Sequence, residues 1–176
     1  MRVIGLDLSL TATGAAIWTD GVLSLITLES PHPGGLERLD WIYSHVRELC
    51  RGAEVVVMEG LSFGSNMPSA QERAGLWWMV ARALWKAGIR MQAVAPTQLK
   101  KFCTGKGSAE KSLILREVFR RWGVVADDDN QADAAVLMRV GLVLVGVTEP
   151  ETDSQREVMA ALLGGQRKKP RGWRVA

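Results

Sequence analysis

Three carboxylates stand in settings where an acidic side chain is expensive. Asp7 interrupts the apolar run Val3 to Leu10, Glu59 closes the run Val55 to Met58, and Asp133 is followed at once by Ala134, Ala135, Val136 and Leu137. A lone carboxylate in such a segment costs free energy unless something compensates it. If the three converge, divalent cations are the natural compensation. Oxygen-only ligation in a basic setting then points to metal-assisted cleavage of a phosphodiester. The basic setting is concentrated in two places. Residues 82–121 hold ten lysines and arginines, opposed only by Glu110 and Glu117. The last ten residues carry Arg167, Lys168, Lys169, Arg171 and Arg174 and no acid. One sign of charge gathered this way favours a polyanionic partner, although most charge runs are merely solvated helix faces.

The elements that must position these groups follow from periodicity and turn chemistry. Residues 2–10, 15–19 and 22–28 read as strands, with Asp20-Gly21 as a tight hairpin between the last two. Residues 36–51 repeat apolar side chains at helical spacing. Residues 54–58 are apolar on both faces and so suit a buried strand. A long helix runs from Ser69 to Ala87, and residues 89–94 form a fifth strand. Pro96 opens a short helix to Phe102. Ser108 is expected to cap a helix over 109–121 with Lys111 in its first turn. Asp127 to Asn130 lead into a helix reaching Val145, and residues 153–163 make a small amphipathic helix. The predicted architecture is α/β: a five-stranded mixed sheet flanked by helices. Its first three strands are antiparallel, and the fourth and fifth run parallel to the first. Asp7 and Glu59 can then meet at the carboxyl ends of adjacent strands.

The chain has 176 residues and is 47% hydrophobic, enough for one sizeable core. Its longest apolar runs are too short to span a membrane. The expectation is a soluble, cytoplasmic protein that contacts no membrane. Cys50 and Cys103 provide neither a disulfide framework nor zinc spacing. His32 and His45 have no ligand spacing and suit surface or packing roles.

Taken in order, Gly5-Leu6-Asp7-Leu8-Ser9 with Thr13-Gly14, Val57-Met58-Glu59, Gln98-Leu99-Lys100-Lys101, Gly105 to Lys111, and Asn130 to Ala134 form a pattern. It resembles the RuvC-type Holliday junction resolvases, especially their short bacteriophage versions. The resemblance covers residues 1–145, and Gly105 to Lys111 is its most specific stretch. It implies a ribonuclease-H-like nuclease domain over 1–148, followed by a short helix and basic tail over 149–176. It also implies a structure-specific DNA endonuclease that makes paired, symmetric nicks across four-way junctions. Asp7, Glu59, Asp133 and Asn130 would hold two Mg²⁺ ions, with Mn²⁺ as a substitute. The same four residues and Lys111 would be catalytic. Lys100, Lys101, Lys106, Lys111 and Phe63 would contact DNA, Phe63 by stacking on a base. A homodimer would form through helix 69–88, whose apolar surface exceeds what one stripe against a sheet needs. A phage-encoded protein would work in the cytoplasm of its bacterial host.

Asn130 departs from the family pattern, which places His or Asp there. An amide oxygen can ligate a cation but cannot take a proton at neutral pH, so Asp129 is an alternative fourth acid. Two other readings compete: a branched-DNA-binding protein with weak or no cleavage, and an RNA-processing nuclease of the same fold. The first-strand motif also resembles the phosphate hairpin of sugar kinases and actin-like ATPases, but 176 residues leave no room for their second lobe.

Overall fold

The computed structural model describes residues 1–61 and 69–165. Its element order is β1 (Arg2–Asp7), β2 (Ala12–Thr19), β3 (Val22–Glu29), α1 (Gly35–Leu49), β4 (Val55–Glu59), α2 (Ala70–Lys86), β5 (Arg90–Val94), α3 (Pro96–Thr104), α4 (Lys111–Trp122), α5 (Asp129–Leu144) and α6 (Asp153–Gly165). The sheet order is β3-β2-β1-β4-β5. β1 is antiparallel to β2 and parallel to β4, β2 is antiparallel to β3, and β4 is parallel to β5. The predicted mixed sheet is therefore the observed one. Asp20 and Gly21 both take positive φ, 48° and 97°, as the primed hairpin turn requires.

The pleat of the sheet sorts the side chains into two cores. Ile4, Leu6, Ala15, Ile17, Val56 and Met58 face α1 and α2. Val3, Ala16, Val55 and Val57 face the layer built around α5. That helix is apolar on nearly every side, because it packs on β1, β2 and β4 beneath and on α4 beside it. α6 contributes Val158, Met159 and Leu162 to the same core and packs on α3. Burying each such side chain stabilises the fold by about 1.5–3 kcal/mol. Among the described residues no helix is long and apolar enough to cross a membrane.

Several boundaries differ from expectation: β2 starts at Ala12 rather than residue 15, and two other shifts have a visible cause. β1 stops at Asp7 rather than running to residue 10. Thr13 Oγ1 donates to the Ser9 carbonyl at 2.8 Å and accepts the Ser9 N–H at 3.1 Å, a local pairing that takes these groups out of the ladder. α4 begins at Lys111, with Glu110 rather than Ser108 at its N-cap position and no side-chain cap bond. Residues 106–109 instead close a turn, the Ala109 N–H donating to the Lys106 carbonyl at 3.3 Å, and the Ala109 side chain is buried.

Candidate active site

Asp7 and Glu59 are the last residues of β1 and β4. Alternation along each strand puts Asp7 on the face of Val3 and Gly5, and Glu59 on the face of Val55 and Val57. Both carboxylates therefore project toward α5, at the carboxyl ends of neighbouring parallel strands. Asp133 lies one turn into α5 and meets them there.

Close approach of α5 makes this meeting possible. A Cβ on Gly5 would lie 2.1 Å from the Ala134 carbonyl oxygen and 2.3 Å from the Met138 nitrogen. A Cβ on Gly14, which pairs with Asp7 across the ladder, would lie 2.1 Å from the Asn130 carbonyl oxygen. The start of α5 is fixed by a ring of polar bonds. Asp128 Oδ1 accepts the Gln131 N–H at 2.7 Å, and Asp128 Oδ2 accepts the Thr27 hydroxyl at 2.7 Å. Gln131 Nε2 donates to Thr27 Oγ1 at 3.0 Å, and Gln131 Oε1 accepts the Asp127 N–H at 3.0 Å. Asp128 is thus a helix cap anchored to β3.

The electrostatics show a surplus of negative charge. Burial, then the Glu59 charge and a hydrogen bond to it, push the Asp7 carboxyl up to about 7. Burial and the Asp7 charge push Asp133 up to about 7 as well. Glu59 is raised by burial and by Asp133, with the Asp7 hydrogen bond and the charges of Lys111 and Lys100 pulling the other way. Like charges held together resist joint ionisation, so all three carboxyls hold their protons more tightly than free side chains do. Asp133 Oδ1 is buried with no hydrogen-bond partner. As they stand, no three His, Cys, Asp or Glu side chains among the described residues form a ready cage for a metal ion. The donor chemistry nonetheless fits a hard divalent cation: oxygen ligands only, an orphaned carboxylate oxygen, and crowded negative charge for a cation to offset.

Of the predicted lysines, Lys111 stands at the first position of α4 and pairs with Asp129 Oδ2. Its charge acts on Asp7, Glu59 and Asp133 together. Lys100, on α3, acts on Glu59 and Asp133. Lys101 is turned away and pairs with Glu157 of α6 at 2.5 Å. Lys106 is exposed, and its backbone N–H is already used by Thr104 Oγ1 at 3.1 Å, so that N–H does not point outward from the loop. Asn130 seats its main chain on Gly14, and its side chain makes no hydrogen bond to another described residue. Phe63 and the basic tail lie outside the described residues. Both cysteines are buried, and burial holds their thiols up at about 12, far from reactive. His45 packs on Trp41, with ring centroids 3.8 Å apart.

Two neighbours of the acids gain roles that residue type alone does not assign. Asp129, an alternative fourth acid by its spacing from Asp133, belongs to the acidic group through Lys111, and its charge raises both Asp7 and Asp133. Trp77 donates its indole N–H to the Glu59 carbonyl at 2.8 Å; no sequence pattern announces that contact.

No family profile matches the chain. It is 32% identical over 157 residues, 82% of this chain and 88% of the relative, to a crossover junction endodeoxyribonuclease RuvC from Treponema denticola. Thermus thermophilus RuvC is similar in structure at 23% identity with a TM-score of 0.64, covering 85% of this chain and 99% of that one. The same protein in complex with a Holliday junction substrate gives 24% identity and 0.66 over the same shares. The yeast mitochondrial Holliday junction resolvase shares the fold at 11% identity and 0.54, covering 94% of this chain and 81% of that one. With a relative this similar across most of its length, and with the sheet order and acidic cluster described above, the chain belongs to the RuvC family of crossover junction endodeoxyribonucleases.

Proposed function

We propose that this protein is a structure-specific endonuclease that resolves four-way DNA junctions by paired, symmetric nicks. The observation that carries the reading is the meeting of Asp7, Glu59 and Asp133 at the carboxyl ends of β1 and β4. Asp7, Glu59 and Asp133 would hold divalent cations, with Asn130 adding an amide oxygen. When bound, two Mg²⁺ ions, or Mn²⁺ in their place, supply an acidified water and charge neutralisation on the leaving 3′ oxygen. The chain's own groups do the rest. Because burial and mutual repulsion raise the Asp7, Glu59 and Asp133 carboxyls, cation binding near neutral pH is expected to release protons. Lys111, 67% exposed in its side chain, is free to exchange Asp129 for a phosphate. Lys100 approaches the acids from α3 and is placed to neutralise charge in the transition state. Lys101, occupied by Glu157, is the weakest of the proposed DNA contacts, and Lys106 and Phe63 remain candidates for that role.

The test is cleavage of a labelled four-way junction beside duplex, fork and RNA–DNA hybrid controls, with Mg²⁺, with Mn²⁺ and with chelator. Paired metal-dependent nicks confined to the junction are expected. Tight junction binding without cleavage would leave a branched-DNA binder, and cutting of the hybrid alone would make the chain an RNA-processing nuclease.

Two equivalent strands call for two equivalent sites, and the proposed partner is a second copy seated on α2. Trp78 and Trp85 are 64% and 76% exposed on that helix, a large apolar area for a monomer to leave in water. Trp78→Glu is expected to weaken self-association by about 100-fold, as loss of an interface aromatic commonly does. Sedimentation equilibrium reads this directly, and the two nicks should lose their pairing in step.

A further inference from the structure

We infer, on the nuclease reading above, that Trp77 is a positioning residue for the site: its indole N–H fixes the end of β4 and with it the direction in which Glu59 presents its carboxylate. The geometry of the strand end carries this. The Gly60 N–H donates to the Val94 carbonyl of β5 at 2.8 Å, so residue 60 points its polar groups toward β5. Successive residues of a strand address opposite edges, and Glu59 therefore points its carbonyl toward the β1 edge. There the ladder has ended, its last register pair being Leu6 with Met58. Trp77 Nε1 takes up this carbonyl at 2.8 Å from α2. The Trp77 ring is 9% exposed and sits in the core with Leu6, Met58 and Leu76.

The Glu59 side chain leaves on the opposite face, toward α5 and Asp7. Trp77 thus acts on the carboxylate only through the backbone, by fixing the peptide that follows it. Packing alone would be served by Phe or Leu; only an indole offers both the bulk and the N–H. Trp77 also packs edge-on against the exposed Trp78, with ring centroids 5.0 Å apart and planes at 81°. The clamp on Glu59 therefore touches the face assigned to the second copy.

The full chain with Trp77→Phe is compared with wild type, with Leu84→Ala as a control and with Asp7→Asn. Leu84 is 3% exposed on the same helix, and its apolar side chain has no hydrogen bond to offer the strand end. Mn²⁺ binding is titrated calorimetrically without DNA, and nicking of the junction is resolved into kcat and KM. Trp77→Phe is expected to weaken Mn²⁺ binding and lower kcat by about 10-fold each, the scale of groups that orient ligands, with KM for DNA unchanged. Leu84→Ala should leave Mn²⁺ affinity within about twofold, since it loosens the core without touching a ligand. Wild-type values for Trp77→Phe, or an equal loss in Leu84→Ala, would overturn the assignment. Benzothienylalanine at position 77 removes the N–H and keeps the shape, and it replaces Phe as the deciding variant if Phe disturbs the fold. Mn²⁺ binding indifferent to Asp7→Asn would sink the metal site itself; the kcat and KM split of Trp77→Phe then tests Trp77 separately.

Discussion

Asp7→Asn is expected to lower the nicking rate by at least about 10³-fold, the scale of several kcal/mol of lost charge stabilisation, while junction binding persists. The same substitution should raise the melting temperature of the protein in chelator at pH 8. Asp7 titrates at about 7 in the fold against 3.8 for the free side chain, mainly through burial and then through Glu59. A raised carboxyl pKa means that the folded state binds the proton more tightly than the unfolded one. The penalty is absent below about pH 4, grows as pH rises toward 7, and is complete above it. At 1.36 kcal/mol per pH unit this amounts to roughly 4 kcal/mol for Asp7 in isolation. Asp133 carries a similar burden from burial and from Asp7, and the two are not additive because the Asp7 charge is itself part of the Asp133 cost. Ion-free wild type should therefore lose stability steadily as pH rises from about 4 to about 7, and Asp7→Asn should flatten that slope. Mn²⁺ should stabilise wild type more at pH 8 than at pH 5. Thermal melts over this range with chelator or Mn²⁺ read all three effects. Parallel slopes for the two proteins would mean that Asp7 does not titrate with the cluster.

Gly5→Ala should be the most damaging small substitution in the sheet. Its new methyl group would fall 2.1 Å and 2.3 Å from main-chain atoms of α5, and a helix backbone cannot yield as a side chain can. Overpacking of a well-filled core costs about 1–3 kcal/mol, and this position belongs at or above the upper end. For a chain of this size the melting temperature should fall by roughly 6–12 °C. Gly14→Ala presses on the Asn130 carbonyl oxygen and moves the first turn of α5, which holds Asp129 and Asn130 and leads directly into Asp133. It should cost activity out of proportion to stability. Gly141 makes a useful contrast, because its nearest neighbour at 2.6 Å is the Val3 side chain, whose removal can relieve the clash. Gly141→Ala combined with Val3→Ala should therefore recover stability that Gly5→Ala cannot. Denaturant melts of these variants check the order.

Much of the architecture was legible along the chain because its signals are local. Asp20-Gly21 marks a turn that needs positive φ, Pro96 opens a helix, and the Val55 to Met58 run has no polar face to offer water. The three acids were legible for a related reason: each interrupts an apolar segment, and that conflict needs a functional explanation. The misplaced start of α4 shows the limit of such signals. Ser108 is a good cap by type, but burial of Ala109 and the turn from Lys106 outweigh a cap bond worth about 1 kcal/mol.

Residue types and their periodicity by themselves determined most of the strands and helices, the mixed sheet and the three carboxylates that interrupt apolar segments, since propensity and apolar spacing act over a few residues. Only the tertiary structure decided which neighbours join those carboxylates. Lys100 and Lys101 are adjacent on α3, yet one faces the acids and the other pairs with Glu157, because successive residues on a helix diverge by about 100° and the docking of α3 on α6 chooses the angle. The same rotation gives Asp129 to Lys111 and sets the Asn130 main chain against Gly14. Trp77 reaches the Glu59 carbonyl only because α2 packs across the end of β4, a contact between residues 18 apart in sequence that no local pattern encodes.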